Sequence, residues 1–323
     1  MLLAGDVGGT KVRLALYAPG AAGSVKERRY LSKDYPDLSS LIEEFLKEES
    51  SELITSLCVG VAGAVVDGRC RETNFPWIID AHLLKEQLQL DKVWVSNDLE
   101  AHAWGLKMLK KEEFVLLQAG KKIEGNQALV SAGTGLGEVG LFWDGEKHLP
   151  FACEGGHVDY APTNETECAL WQFLKEEFEH VSYERILCGS GIYALYRFLT
   201  LSGRAQKDPD IEKLSSKDEP QKLITEKAVK KSSKTCMDVL ELFISIYGAE
   251  CGNTALKFLS VGGLFVGGGI APHVVPFFKA KNFLNAFRNK GRFSELLDKI
   301  PVALVLNEKT ALLGAARYAQ ERE

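Results

Sequence analysis

No stretch of about 20 consecutive apolar residues occurs in the 323 residues of this chain, which excludes an evident membrane-spanning helix. No Cys-x-x-Cys pair occurs either. The seven cysteines stand singly and are odd in number, as expected of reduced thiols that fill core space rather than of a disulfide framework or a zinc cluster. The opening run Met1-Leu2-Leu3-Ala4-Gly5-Asp6 lacks the basic start and long apolar stretch of a secretory signal, so the expected location is the cytoplasm. Positive charge is not in excess: 39 Lys and Arg stand against 44 Asp and Glu, for a net charge of -5. A nucleic-acid partner normally calls for a basic face. The densest basic cluster, Lys227 to Lys234, stands among acids and reads as solvated surface.

What is present points to a globular α/β protein. A chain of 323 residues with 46% hydrophobic residues is long enough for two domains. Leu2 to Asp6 reads as a short strand, Gly8-Gly9-Thr10 as a turn, and Val12, Leu14 and Leu16 as one face of a second strand with a period of two. Val25 to Leu31 extends the pattern. Asp37 opens a helical spacing through Leu41, Ile42, Phe45 and Leu46. Leu57 to Val61 and Lys92 to Ser96 are further strands, and Leu99 to Leu109 a helix. The opening is then echoed: strand Leu129–Ser131, turn Gly133-Thr134-Gly135-Leu136-Gly137, strand Val139–Trp143. Strand, Gly/Thr turn, strand thus occurs twice, as a weak internal repeat. The polar stretch from Gly203 to Thr235 reads as a surface excursion with one helix. Val239 to Leu259 has helical spacing, Leu264–Val266 is a strand entering Gly267-Gly268-Gly269, and Ala311 to Ala319 is a closing helix.

Gly/Thr turns of this kind suit phosphate. Glycines let backbone N–H groups approach a polyphosphate, and a threonine hydroxyl can donate to it. A strand-terminal carboxylate such as Asp6 can hold Mg²⁺ through water. A plain hairpin turn would look the same for the first motif alone. The second turn is not a dinucleotide fingerprint, because a strand follows its glycines where that fingerprint needs a helix. Nor is it a Walker loop, since no Gly-Lys-Ser/Thr follows. Asn97-Asp98 sits at a strand-to-helix junction. Asp98 there serves either as a helix N-cap or as a base toward a sugar hydroxyl. Glu154-Gly155-Gly156-His157 places two polar side chains around a sharp turn, as a hexose with several hydroxyls requires. It shows no metal-ligand spacing.

Taken in order, Asp6-Val7-Gly8-Gly9-Thr10, Ser96-Asn97-Asp98, Gly133-Thr134-Gly135-Leu136-Gly137, Glu154-Gly155-Gly156-His157-Val158-Asp159-Tyr160-Ala161-Pro162 and Val181-Ser182-Tyr183-Glu184-Arg185-Ile186-Leu187 resemble the bacterial glucokinases. Gly267-Gly268-Gly269-Ile270 and Lys290-Gly291-Arg292-Phe293 complete the likeness, which runs through the whole chain. The His-containing and Ser-Tyr-Glu-Arg runs are its most specific parts. The resemblance implies a two-domain actin-like ATPase (ribonuclease H-like) fold with an interdomain cleft. The smaller domain would span residues 1–110 with a C-terminal helix, 309–323, packed back on it, and the larger one 111–308. It implies glucose and ATP as substrates, phosphorylation at the 6-hydroxyl, and a homodimer. Asp98 resembles the catalytic base, and Asn74, Asn97, Glu154, His157 and Glu184 the hexose ligands. Asp6, Gly8, Gly9 and Thr10 resemble the first phosphate loop, Gly133, Thr134 and Gly135 the second, and Gly267 and Gly268 the adenosine site. Mg²⁺ would be held mainly by the ATP phosphates, with no direct protein ligand.

Two departures qualify the likeness. Lys11 stands where many of these enzymes carry Asn. Asp159 to Cys168 holds one cysteine where a related repressor and kinase family has a zinc cluster, so no zinc is expected. The alternatives are a kinase for another hexose and a non-catalytic sugar sensor of the same fold. A sensor would usually begin with a helix-turn-helix, and this chain begins on the phosphate strand. A filament-forming or chaperone-like ATPase would have no reason to keep Asn97-Asp98 together with Glu154 and His157.

Overall fold

A computed structural model describes residues 1–18, 21, 23–49, 53–71, 77–215 and 218–322. The chain forms two compact units. One comprises Met1–Lys111, Pro150–Ala152 and Asn307–Glu323, and the other Glu112–Leu149 and Cys153–Leu306.

In the first unit the strands are β1 (Leu2–Val7), β2 (Lys11–Tyr17), β3 (Lys26–Leu31), β4 (Ser56–Val61), the short β5 (Val65–Val66), β6 (Arg69–Arg71) and β7 (Ile78–Asp80), and β8 (Lys92–Asn97). The main sheet has the order β3-β2-β1-β4-β8, and β5-β6-β7 form a small sheet of their own. β1 pairs antiparallel with β2 and parallel with β4, and β4 pairs parallel with β8. All six residues of β4 are buried, as a central parallel strand demands. Helix α1 (Leu38–Glu49) lays Leu38, Leu41, Ile42 and Phe45 into the core, each worth about 1.5–3 kcal/mol of burial. Asp37 caps it, accepting from Ser40 N–H at 2.8 Å. α2 (Ala81–Leu88) and α3 (Asp98–Gly105) follow their strands. The helix expected to reach Leu109 stops at Gly105 and continues as a 3₁₀ turn, Leu106–Met108. The C-terminal helix Thr310–Gln320 packs against α3 so closely that a Cβ on Gly314 would come within 1.6 Å of the Ala101 carbonyl oxygen.

The second unit repeats the frame. Its strands are β9 (Phe114–Gln118), β10 (Gln127–Ala132), β11 (Leu136–Trp143), β12 (His148–Cys153), β13 (Gly263–Gly267) and β14 (Val302–Val305), in the order β12-β11-β10-β13-β14-β9. β10 is antiparallel to β11 and parallel to β13, and β13 is parallel to β14. Position by position this matches β3-β2-β1-β4-β8, so the repeat seen in sequence extends to whole sheets. The helices include α4 (Glu165–Lys175), α5 (Gly189–Leu201) and the 24-residue helix Lys234–Lys257 through the core.

The stretch Gly203 to Thr235 departs from the surface excursion expected of it. It carries two helices, Pro209–Glu212 and Pro220–Val229, and buries Ile211, Ile224 and Ala228 in the core. Asp208 is also buried, 2.7 Å from Lys227 Nζ, with its N–H donating to Tyr196 Oη at 2.8 Å. The apolar residues recur too sparsely among the charges to show as a face. Among the described residues no helix is long and apolar enough to cross a membrane.

Candidate active site

In the first unit, parallel pairing decides what meets. Val7, Val61 and Asn97 share one register across β1, β4 and β8. The chain therefore leaves all three strands at one carboxyl edge. That edge carries the Gly8-Gly9-Thr10 turn, the Ala62-Gly63 turn and Asn97-Asp98. Carboxyl edges of parallel strands are where α/β sheets bind ligands. The first turn is closed by Gly8 N–H donating to the Lys11 carbonyl at 3.0 Å. It is braced by Ser32, whose Oγ donates to the Gly9 carbonyl at 2.8 Å and whose N–H donates to Thr10 O at 3.1 Å. Asp6 lies opposite Arg13 in the β1–β2 pair. Burial raises its carboxyl above the ordinary range and the Arg13 charge opposes that.

The N-cap of α3 is Asn97 rather than Asp98. Its Oδ1 accepts from Leu99 N–H at 2.9 Å and Glu100 N–H at 3.2 Å, and its Nδ2 donates to the Gly63 carbonyl at 2.9 Å. Asp98 occupies the first helical position, with Oδ1 2.8 Å from Leu99 N. Its backbone is pressed toward β4, where a Cβ on Gly60 would come 3.5 Å from the Asp98 Cα. One turn along α3, burial pushes the His102 imidazole down to about 4, so it adds no charge beside Asp98.

In the second unit, two glycine turns converge at the edge of the parallel pair β10–β13. Ser131 lies in register with Gly267. Gly268 has φ +88°, and a Cβ there would stand 2.2 Å from the Ala132 carbonyl, so only glycine fits. A Cβ on Gly133 would lie 3.8 Å from Gly269 N, so the second phosphate turn and the Gly267-Gly268 run are neighbours. The phenol of Tyr247, from helix Lys234–Lys257, ties both strands. Its Oη accepts from Ala132 N–H at 3.0 Å, donates to the Val130 carbonyl at 3.1 Å and lies 3.4 Å from Gly267 O. Gly189 N–H, at the start of α5, donates to Gly133 O at 2.9 Å. The N-terminus of a 13-residue helix thus abuts the turn, a favourable place for negative charge.

The sugar-type residues of this unit form one group with that turn. Glu184 Oε2 accepts from Leu136 N–H at 3.0 Å, and a Cβ on Gly135 would stand 2.5 Å from the same oxygen. His157 Nδ1 lies 3.9 Å from Glu184 Oε1, and His157 Nε2 lies 4.0 Å from Glu154 Oε2. Glu154 and His157 are exposed, on a 3₁₀ turn Gly155–His157, and Glu184 is half-buried. Asn74 lies outside the described residues. Ser32, Tyr247 and the start of α5 escaped the sequence reading. Cys188-Gly189-Ser190-Gly191 is a usable signal for α5, because Cys188 caps it by accepting from Gly191 N–H. Ser32 and Tyr247 act across 23 and 115 residues of chain and leave no local trace.

Two sheets that share a five-strand order, each with a Gly/Thr turn in an antiparallel strand pair (β1–β2 and β10–β11), and a carboxylate–imidazole group beside one turn define a sugar kinase type of protein. Comparison with known proteins is specific. A sequence profile of the glucokinase family matches residues 3–322. A glucokinase of Nostoc sp. is 39% identical over 337 aligned positions, covering 99% of this chain and 98% of its own. A glucokinase structure from an Antarctic psychrotroph superposes with a TM-score of 0.83 at 27% identity, covering 99% of this chain and 98% of its own. The glucokinase of Balamuthia mandrillaris, solved with glucose, shares the fold at a TM-score of 0.81 and 18% identity, over 99% of this chain and 93% of its own. The chain belongs to the glucokinase family.

Proposed function

We infer that this protein transfers the γ-phosphoryl group of ATP to the 6-hydroxyl of glucose, giving glucose 6-phosphate and ADP, the entry step of glycolysis. In this reading Asp98 takes the proton from the 6-hydroxyl as its oxygen bonds to the γ-phosphorus. The bond to the β,γ-bridging oxygen breaks, and ADP leaves with that electron pair. Such transfers depend on positioning and charge neutralisation more than on a strong base. Asn97, Glu154, His157 and Glu184 bind the hexose, with Asn74 beside them. Asp6, Gly8, Gly9 and Thr10 hold phosphate, as do Gly133, Thr134 and Gly135, with Gly267 and Gly268 near the adenosine. Mg²⁺ enters as part of MgATP, and Asp6 would reach it through water. Two sheets with the same order over five strands, the second extended by β9, support an actin-like ATPase fold, with domains 1–110 plus 309–323 and 111–308. A homodimer and a cytoplasmic location belong to the same reading.

The observation that carries it is Glu184, whose carboxylate touches both the phosphate turn at Gly135 and His157. A group shared between the sugar and phosphate sides is what a transfer between them needs, because the reacting atoms must be brought within about 3–3.5 Å. A coupled assay for glucose 6-phosphate, with glucose, mannose, galactose and N-acetylglucosamine against ATP, ADP and polyphosphate, tests the reading. Glucose with ATP should give the highest kcat/KM. Fixed polar groups reject a missing or inverted hydroxyl by leaving a buried partner unpaired. Equal values across the four sugars would defeat the glucose assignment, and absence of any product would defeat the kinase.

A further inference from the structure

Beneath the Gly155–His157 turn lies a buried polar circuit that the reaction scheme does not use. Glu138 follows Leu136 by two positions in β11, so both address the same face of the strand. The turn lies directly on that face. A Cβ on Gly156 would come within 2.0 Å of the Leu136 carbonyl oxygen, and one on Gly155 within 2.3 Å of Glu138 Oε2. The Glu138 carboxyl is the floor on which Gly155 rests.

That carboxyl is 1% exposed and held from behind. Thr254 Oγ1 lies 3.1 Å from Glu138 Oε2 and 2.9 Å from the Glu250 carbonyl oxygen, and among the described residues Glu138 Oε1 has no hydrogen-bond partner. Glu250, fully buried one turn before Thr254, is its neighbour. Glu250 Oε1 accepts from Lys257 Nζ at 3.0 Å and Oε2 from Asn253 Nδ2 at 2.9 Å. Asn253 Nδ2 also donates to Tyr183 Oη at 3.0 Å, and Asn253 Oδ1 accepts from Lys290 Nζ at 2.7 Å. Tyr183 precedes Glu184, which accepts the Leu136 N–H, so the circuit closes on the strand where it began.

Two neighbouring buried carboxyls, with the Lys257 ammonium in direct contact with Glu250 alone, are costly to ionise together. Burial, followed by the Glu250 charge, raises the Glu138 carboxyl well above the carboxylate range, while Lys257 opposes this. Lys290 and Tyr183 belong to the same circuit through Asn253, and burial lowers the Lys290 ammonium and raises the Tyr183 phenol. Tyr247 and Cys251 on the helix of Glu250 are pushed up by burial, as is Cys153 on β12, whose Sγ donates to the Glu138 carbonyl at 3.3 Å.

We propose that Glu138 is a positioning residue for hexose binding: held by Thr254 against Gly155, its carboxyl sets the path of the 155–157 turn and with it the aim of Glu154 and His157. The inference rests on the sugar-binding reading of those two residues. It carries a pH signature. In the unfolded chain this carboxyl ionises near the ordinary glutamate value, so the folded protein holds an extra proton between there and the raised value, and stability falls across that window as pH climbs. Once pH passes the raised value, the proton leaves, Glu138 faces Glu250 with both charged, and the turn above must shift. Glucose affinity is lost on the alkaline side.

The test compares Glu138→Ala, Glu138→Gln and Glu154→Ala in the full chain, with KM for glucose and for ATP between about pH 6 and about pH 9.5. Glu138→Ala should raise glucose KM about tenfold or more and leave ATP KM within about twofold, as expected when a buried polar support is removed. Glu138→Gln keeps the shape without the ionisable proton. It should recover most of that loss and flatten the alkaline rise in glucose KM seen in the parent. Glucose and ATP KM moving together, an unchanged glucose KM in Glu138→Ala, or a Gln variant as impaired as Ala would overturn the proposal. If Glu138→Ala does not fold, a parent-like alkaline rise in Glu138→Gln is decisive against it. Glu154→Ala separates the two levels of inference. A raised glucose KM there with silent Glu138 variants removes the positioning role alone. A silent Glu154→Ala removes the sugar-binding reading and the proposal together.

Discussion

The two sheets share one topology, yet they make their ligand edges by different means. In the first unit the edge is built from backbone turns, and its side chains mostly serve the protein. Ser32 holds Gly9, and Asn97 caps α3 while gripping Gly63. Asp98 stands at the head of the helix, its Oδ1 accepting from Leu99 N–H at 2.8 Å. In the second unit the edge is built from side chains: Glu184, His157 and Glu154 lie in a row, and a tyrosine from the core helix fixes the strands beneath. Under the proposed function, the shared frame is divided into a reacting edge and a recognising edge. The division follows from what surrounds each one. β1 and β4 are followed by short turns, whereas the second edge is backed by a long buried helix able to send polar groups up through the strands.

The largest effect should come from the reacting edge. Asp98→Asn preserves shape but removes the proton acceptor, and kcat should fall by about 10²–10⁴-fold with glucose binding kept. A near-parent kcat in the coupled assay would show that the first unit contributes no base and would dissolve the contrast. The two phosphate turns offer a direct comparison. Thr134→Val and Thr10→Val each delete one donor to phosphate, and each should lower kcat/KM for ATP by about 10–100-fold with glucose binding little changed. Unequal losses would show which turn carries the transferred group, and a silent variant would mark its turn as structural only.

Smaller effects separate the ways the edges are braced. Tyr247→Phe strands the buried Ala132 N–H and should cost about 1–3 kcal/mol by denaturant unfolding, with a raised ATP KM. Ser32→Ala removes one hydrogen bond at the equivalent place and should cost about 0.5–1.5 kcal/mol. If Ser32→Ala proved the more damaging, the first turn would depend on side chains as heavily as the second. Asp208→Ala should cost a similar amount, about 1 kcal/mol, since it removes a buried partner of Lys227. No loss would return the stretch 203–235 to the solvated surface that its composition suggests.

How much of this was readable beforehand depended on how local the cause was. The Gly8-Gly9-Thr10 and Gly133-Thr134-Gly135 turns announce themselves because glycine and threonine interrupt strands of period two, and the structure places turns at both. The carboxyl-edge position of Asn97 follows from the apolar run Val93–Val95 before it. The cap, however, belongs to Asn97 and not to Asp98, a difference of one residue that spacing cannot resolve. β9, α2, α4 and α5 were not anticipated, since their apolar positions are interleaved with charge or lie close to neighbouring motifs. Ile211, Ile224 and Ala228 were hidden in a polar stretch because three buried apolar residues in about 30 make no visible face. Glu138 read as one polar position in a strand. Its meaning comes from Thr254 and Glu250, more than 100 residues away, and from a glycine turn that only tertiary structure lays on top of it.

The helix Thr310–Gln320 completes the first unit by packing on α3, β1 and β4, yet about 200 residues of the other unit are translated in between. At roughly 5–20 residues per second, that interval is on the order of 10–40 s. For that time the faces of Ala101, Gly105 and β4 that the helix covers stand open to the cell, while the second unit can close its own core as soon as β14 emerges. The unit whose synthesis starts first is therefore the one finished last.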